Sequence, residues 1–156
     1  MHIVLYEPDI PWNTGNIGRS CVATASMLHL VGRLGFSLDE KEIRRSGLDY
    51  WDKLHLVQHA SWDAFEASLS PDAALFFFSK WGKKNFWDVA YSPEAYLIFG
   101  CETSGLPEAV RQRYADRLVR IPQQENSVRS LNLSTAVGIA LYEALRQQAH
   151  AISHRS

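Results

Sequence analysis

The chain alternates short apolar runs with segments of helical period. Six runs rich in β-branched or aromatic residues predict strands: His2–Tyr6, Leu28–Val31, Leu54–Val57, Ala74–Phe78, Tyr96–Phe99 and Leu118–Ile121. Between them, apolar positions return at the spacing of a helix face. Ile17–Met27 predicts a helix with Ile17, Cys21, Ala25 and Leu28 along one stripe. Asp63–Leu69 predicts a second, with Ser61 placed to cap it. A third starts at Pro107, because proline suits a first helical turn. The longest covers Leu133–Gln148, where Val137, Leu141 and Leu145 are spaced by four. Continuous apolar strands alternating with helices predict an α/β fold, a mostly parallel sheet with helices on both faces. Such sheets take ligands beyond the carboxyl ends of their strands. The loops after Tyr6, Phe78, Phe99 and Ile121 are therefore where chemistry is expected.

Composition narrows this picture. With 156 residues, 46% of them apolar, the chain is expected to form one ordered domain, 1–156. No apolar run reaches the ~18 residues of a membrane span. The start, Met1-His2-Ile3-Val4-Leu5-Tyr6, lacks the basic residues and cleavage site of a signal peptide. Two cysteines, Cys21 and Cys101, make neither a disulfide framework nor a CxxC pair. Cys21 reads as a small buried apolar residue, and the cytoplasm is the expected location. The formal charge of −1 excludes a polybasic binder. It does not exclude RNA, because Gly100–Ser156 holds seven arginines against five acids.

Three loops carry unusual composition. In the first, Glu7-Pro8-Asp9-Ile10-Pro11-Trp12-Asn13-Thr14-Gly15-Asn16-Ile17-Gly18-Arg19, two prolines hold an extended entry and Asn13 or Asn16 is placed to cap the helix. Backbone N–H groups at that helix start could hold an anion. Arg19 is expected in the first turn, where a cation opposes the helix dipole. A dinucleotide-binding glycine fingerprint does not fit, since a long proline-containing loop separates the strand from Gly15 and Gly18. The second loop, Phe99-Gly100-Cys101-Glu102-Thr103-Ser104-Gly105-Leu106-Pro107, offers close backbone approach at its glycines and an acid at Glu102. It also fits an ordinary strand-to-helix connection with Ser104 near the cap. The third, from Ile121 through Asn126 to Ser134, is long and polar, with Ser130, Asn132 and Ser134 as possible caps.

A further stretch, Lys80-Trp81-Gly82-Lys83-Lys84-Asn85-Phe86-Trp87, mixes cations with aromatics. Cations attract phosphate and exposed rings stack on unpaired bases; alternatively the rings fold into the core. Lys41, Arg44 and Arg45 form a smaller basic cluster. His55/His59 and His150/His154 have i, i+4 spacing but lack further ligands, so no metal is expected.

In order and spacing these segments resemble the SPOUT class of RNA methyltransferases. Within it they are most similar to the small tRNA (cytidine/uridine-34)-2′-O-methyltransferase family, TrmL/YibK-like. The residues that carry the likeness are Ile3–Pro11, Asn13–Ile17, Arg44–Tyr50, Phe99-Gly100, Glu102-Thr103, Gly105–Pro107, Ser130–Ser134 and Tyr142–Ala144. The chain departs from the family pattern at Gly18, at Cys101, where proline is common, and at Ser104, where arginine is common.

The resemblance implies a C-terminal trefoil knot, against the general rule that chains do not thread. It implies S-adenosylmethionine as methyl donor, held by Phe78, Gly100, Ile121, Ser130 and Leu131, with no metal. It implies Arg19 and Asn132 as catalytic residues, and Asn13, Asn16, Glu102 and Tyr142 as contacts to substrate or partner. The expected substrate is the wobble nucleotide in the anticodon loop of tRNA, and the expected assembly is a homodimer. RNA binding should then be local and shared between subunits, with a shallow salt dependence. Alternatives are methylation of rRNA or another tRNA position, or a non-catalytic RNA-binding module.

Overall fold

The computed structural model describes residues 1–38 and 49–153. The basic cluster at Lys41, Arg44 and Arg45 lies outside them, as do 46–48 and His154. Seven parallel strands form one sheet in the order β3-β2-β1-β6-β4-β7-β5. These are β1 (His2–Tyr6), β2 (Met27–Val31), β3 (Leu56–His59), β4 (Leu75–Phe78), β5 (Lys84–Asn85), β6 (Tyr96–Phe99) and β7 (Leu118–Arg120). Helices α1 (Pro11–Ala23), α2 (Trp62–Ala67), α3 (Glu108–Arg113) and α4 (Leu133–Ser153) flank it.

The two faces of the sheet explain why its strands read as continuous apolar runs. Ile3, Leu5, Leu28, Leu30, Leu97 and Phe99 pack with Ile17 and Cys21 of α1 and Val137, Leu141 and Ala144 of α4. The alternate residues Val4, Val31, Phe77 and Ile98 pack on the other face with Phe65 of α2 and Val110 of α3. Side chains two apart share a face, so burial on both faces needs no polar alternation. Leu141 and Ile17 are fully buried, and burying such side chains is worth about 2 kcal/mol each. Burial also pushes the Cys21 thiol up to about 12, so Cys21 behaves as packing, not as a nucleophile.

Several expected boundaries shift for local reasons. Helix α1 begins at Pro11, six residues before the expected start. Proline is preorganised for a first helical turn, so Pro11 opens the helix instead of extending the loop. Consequently neither Asn13 nor Asn16 caps it: the cap is Ile10, without a side-chain bond. Arg19 is the ninth helical residue, well past the first turn where a cation would oppose the helix dipole. Met27 and Leu28 belong to β2, because the helix ends at Ala23 and a left-handed Ala25 reverses the chain. The third strand starts at Leu56, not Leu54, whose backbone closes a short 3-10 turn over Trp51–Lys53. Pro107 is the cap of α3 and Ser104 takes no part in capping. Ser61 caps α2 as expected, accepting from Ala64 N–H at 3.1 Å.

The chain order within the sheet is what positions the site. Strands β1, β2 and β3 step outward in one direction, and β6 and β4 lie on the other side of β1. The order reverses between β1 and β6, so the loops that leave these two strands meet at the carboxyl edge, the usual place for a ligand. Strand β7 is inserted between β4 and β5, two segments that precede it in sequence. The turn joining β4 to β5 crosses the end of β7 so tightly that a side chain at Gly82 would strike the Val119–Arg120 backbone.

Candidate active site

At this edge a cleft of about 440 Å³ opens above β4, β6 and β7. Its walls come from all three unusual loops and from the turn after β4. Phe78, Gly100, Ile121, Ser130 and Leu131, the expected cofactor positions, all line it, as do Asn13, Glu102 and Asn132. Asn16, Arg19 and Tyr142 do not.

Glu102 ties the second loop to the first. Its carboxylate accepts Asp9 N–H at 2.7 Å, Ile10 N–H at 3.1 Å and the Asn13 amide at 3.3 Å. The anion at the start of α1 is thus the protein's own Glu102. The two N–H groups belong to Asp9 and the cap Ile10, just ahead of the helix, and the strand reversal brings the acid to them from the loop after β6. Asn13 passes the connection on: its Oδ1 accepts from Asn132 Nδ2 at 3.0 Å. Asn132 is the cap of α4, its Oδ1 accepting Ser134 N–H at 2.9 Å and Thr135 N–H at 3.3 Å. Three residues some 30 to 119 positions apart in sequence therefore form one row, Glu102–Asn13–Asn132, that fixes all three loops. Asn13 is buried, so its amide orientation is set by Glu102 and Asn132 and not by solvent.

A second set of bonds braces the floor. The Cys101 thiol donates to Asp9 Oδ2 at 2.7 Å, and the Thr103 hydroxyl to the same oxygen at 2.8 Å. These bonds, the thiol's first, hold the Asp9 carboxyl below the usual carboxylate range. The Cys101 thiol thereby fastens the second loop to the first. Asp9, Cys101 and Glu102 bring ligand-type atoms within 4.8 Å of one another, but each is already engaged by the bonds just described. Arg129 reaches across from the third loop and donates to Thr103 O at 2.8 Å, beside Ser104.

The cleft has the dimensions of a small-molecule site. Gly100 is the tightest point: any Cβ there would collide with the Gly105 and Leu106 backbone. Only glycine at 100 lets the Gly105–Leu106 backbone close this tightly over the end of β6, which fixes the second loop where it lines the cleft. Phe78 and Phe99 stack at 4.6 Å between ring centroids behind it, giving an apolar back wall.

The remaining expected residues stand elsewhere. Arg19 is exposed on α1, its guanidinium 5.8 Å from the centre of the Tyr50 ring. The Tyr50 hydroxyl in turn donates to Gly15 O. Tyr142 is exposed on α4. Sequence reasoning missed the bracing by Asp9 and Cys101, for which nothing in the local pattern is a signal. It also left open which aromatics of 80–87 turn inward: Phe86 is buried, whereas Trp81 and Trp87 are exposed.

Residues 1–142 match the SpoU rRNA Methylase family. A tRNA (cytidine(34)-2′-O)-methyltransferase of Saccharophagus degradans is 47% identical over 147 residues, covering 94% of each chain. A solved structure that gives insights into the 2-OH methylation of C/U34 on tRNA superposes with a TM-score of 0.90 at 43% identity, covering 96% of each chain. The SpoU methyltransferase AviRb of Streptomyces viridochromogenes, in complex with AdoMet, superposes at 0.79 with 29% identity, over 96% of this chain and 60% of that one. The chain belongs to the SpoU methylase family and, within it, to the tRNA (cytidine(34)-2′-O)-methyltransferases.

Proposed function

We propose that this protein transfers a methyl group from S-adenosylmethionine to the ribose 2′-hydroxyl of cytidine or uridine 34 in the anticodon loop of tRNA. The observation that carries the reading is the convergence of Gly100, Ile121, Ser130 and Leu131 on one cleft, with near-full-length likeness to enzymes of that activity. S-adenosylmethionine, when bound, supplies an already activated methyl on a sulfonium, so the protein's task is to position the hydroxyl and assist its proton. Gly100 and Leu131 hold the donor through main-chain groups, and Phe78 and Ile121 cover it. Asn132 keeps one amide hydrogen beyond its bond to Asn13 and presents it to the ribose. Glu102 is committed to the loop, so its role is positioning.

Arg19 acts in a second subunit's cleft. Six residues separate it from Asn13 on α1, which turns it roughly 120° away from its own cleft. It shares an exposed stripe with Trp12 and Asn16. The neighbouring helix α4 exposes Ile139 and Tyr142, and open space surrounds Gly138, which lets another backbone approach. This combined face of α1 and α4 is read as the homodimer contact. Arginine stays protonated, so Arg19 binds phosphate and stabilises charge at the attacking oxygen. Chain crossing at Gly82, with β7 inside the earlier β4–β5 segment, is read as the trefoil knot. Two free, buried cysteines suit a cytoplasmic protein.

Labelled S-adenosylmethionine incubated with total tRNA, followed by mapping of the methylated ribose, tests the reading. Transfer at position 34 is expected. Donor binding without transfer to any tRNA overturns it, and transfer only to rRNA moves it to the related activity. Arg19→Ala is expected to abolish transfer with little change in donor affinity by titration calorimetry.

A further inference from the structure

The turn after β4 lines the same cleft as the expected donor positions, with Lys80, Trp81 and, from α3, Arg111 on its wall. Trp81 is 59% exposed, an unusual placement for the largest apolar side chain. The turn that carries it is locked. Gly82 N–H bonds to Ser79 O at 3.0 Å, the Ser79 hydroxyl accepts Trp81 N–H at 3.3 Å, and Gly82 is wedged against β7. The indole is therefore presented by rigid backbone.

Two cations flank it. Lys80 Nζ lies 5.2 Å from the indole ring centre and the Arg111 guanidinium 5.5 Å. Arg111 is held by Leu106 O at 3.2 Å, and among the described residues no carboxylate pairs with Lys80 or Arg111. Both charges are fastened by neutral groups, a π face and a carbonyl, and so remain available. Arg113 and Arg146, by contrast, pair with Glu66 and Glu143.

We propose that Trp81, with Lys80 and Arg111, is a substrate-recognition platform on which an unpaired nucleobase next to the target nucleotide stacks while the cations take the adjoining phosphates. The inference rests on the tRNA-methyltransferase reading. An unpaired base supplies the flat π surface that matches an exposed indole, and its backbone supplies the anions that two unpaired cations lack. Base-on-aromatic stacking tolerates any base, so the platform orients the loop and the cleft selects the ribose.

The test uses the full chain and an anticodon stem-loop, with a second stem-loop made abasic at the nucleotides flanking position 34. Trp81→Leu is expected to raise KM for the intact stem-loop about tenfold or more, the usual cost of a lost base stack. Donor affinity by calorimetry and kcat stay within about twofold in that variant, and Trp81→Phe recovers most of the loss. The abasic stem-loop should bind wild-type protein as weakly as Trp81→Leu binds the intact one, with no further loss when the two are combined. Lys80→Ala should lower the salt slope by about one. Unchanged KM in Trp81→Leu overturns the proposal. Loss of donor affinity instead assigns Trp81 to the methyl donor and equally overturns it. Failure of the wild-type protein to methylate position 34 is a separate outcome, and it defeats the underlying reading.

Discussion

Two rows of polar side chains, each partly buried and running out to an exposed end, link distant parts of this protein, and they are built from different chemistry. One is the amide–carboxylate row Glu102–Asn13–Asn132 at the cleft. The other runs across the outer strands on the opposite face of the sheet. His2 Nδ1 and His29 Nε2 are 3.0 Å apart, His29 Nδ1 and His59 Nε2 are 3.0 Å apart, and His2 Nε2 bonds to Glu94 at 3.2 Å. Glu94 accepts only, so His2 donates to it and must accept from His29, which must accept from His59. One exposed carboxylate thus sets three tautomers. His2 stacks on Tyr96, His29 and His59 meet Phe65 edge-on, and among the described residues none of the three histidines lines the cleft. Asn13 and Asn132 carry amides with no titratable proton, whereas all three members of the histidine row are titratable bases whose protonation burial disfavours.

The largest test of this contrast is Gly100→Ala. Its methyl group has only Gly105 and Leu106 backbone to displace, a strain of about 3 kcal/mol. It should lower methyl-donor affinity about a hundredfold by calorimetry, with the histidine row untouched. Glu102→Ala comes next. It orphans the Asp9 and Ile10 N–H groups and frees Asn13, and charged hydrogen bonds of this kind are worth about 2–3 kcal/mol. Thermal unfolding and transfer rate should fall together, because the same bonds hold the helix and the site.

The histidine row gives the third prediction. Burial, and then the neighbouring His2 and His59, lower His29 from 6.5 to about 4. Burial also lowers His2 and His59. A base with a lowered folded pKa binds more protons when unfolded, so its contribution is complete above pH 6.5 and is lost as pH falls towards 4. Denaturant unfolding should show a loss on the order of 2 kcal/mol over that window. Donor affinity of the still-folded protein should be flat across its upper half; a parallel fall would break the separation of the two rows. Smallest in stability is Asn132→Asp. The carboxylate still caps α4, so the midpoint should move by less than about 0.5 kcal/mol. It can no longer donate to Asn13, and transfer should slow with the fold intact.

Much of the architecture was legible in the chain. The strands that carry the site, His2–Tyr6 and Tyr96–Phe99, were readable to the residue, because burial on both faces leaves an unbroken apolar run between polar turns. The start of α1 was not, since a proline next to polar residues fits either an extended entry or a first turn. Only packing decides between them. The residues around the cleft followed from the resemblance, and their shared lining followed from the fold. Arg19 shows the limit: its sequence position suggested the first turn of a helix, but it stands in the third, on a face turned outward.

By itself the sequence determined the period of each element, and hence a parallel sheet covered on both sides, along with glycine for a close backbone approach at Gly100 and a cap for the last helix among Ser130, Asn132 and Ser134. What it could not determine was which of its polar groups would satisfy one another. That Glu102 fills the start of α1, that Asn13 bridges it to Asn132, that Cys101 fastens Asp9 and that three histidines line up over the other face are all consequences of the strand order. Local pattern is fixed by steric and hydrophobic preferences that act over a few residues. Hydrogen-bond partners some 30 to 119 positions apart are chosen only when the sheet reverses its order and brings the loops together.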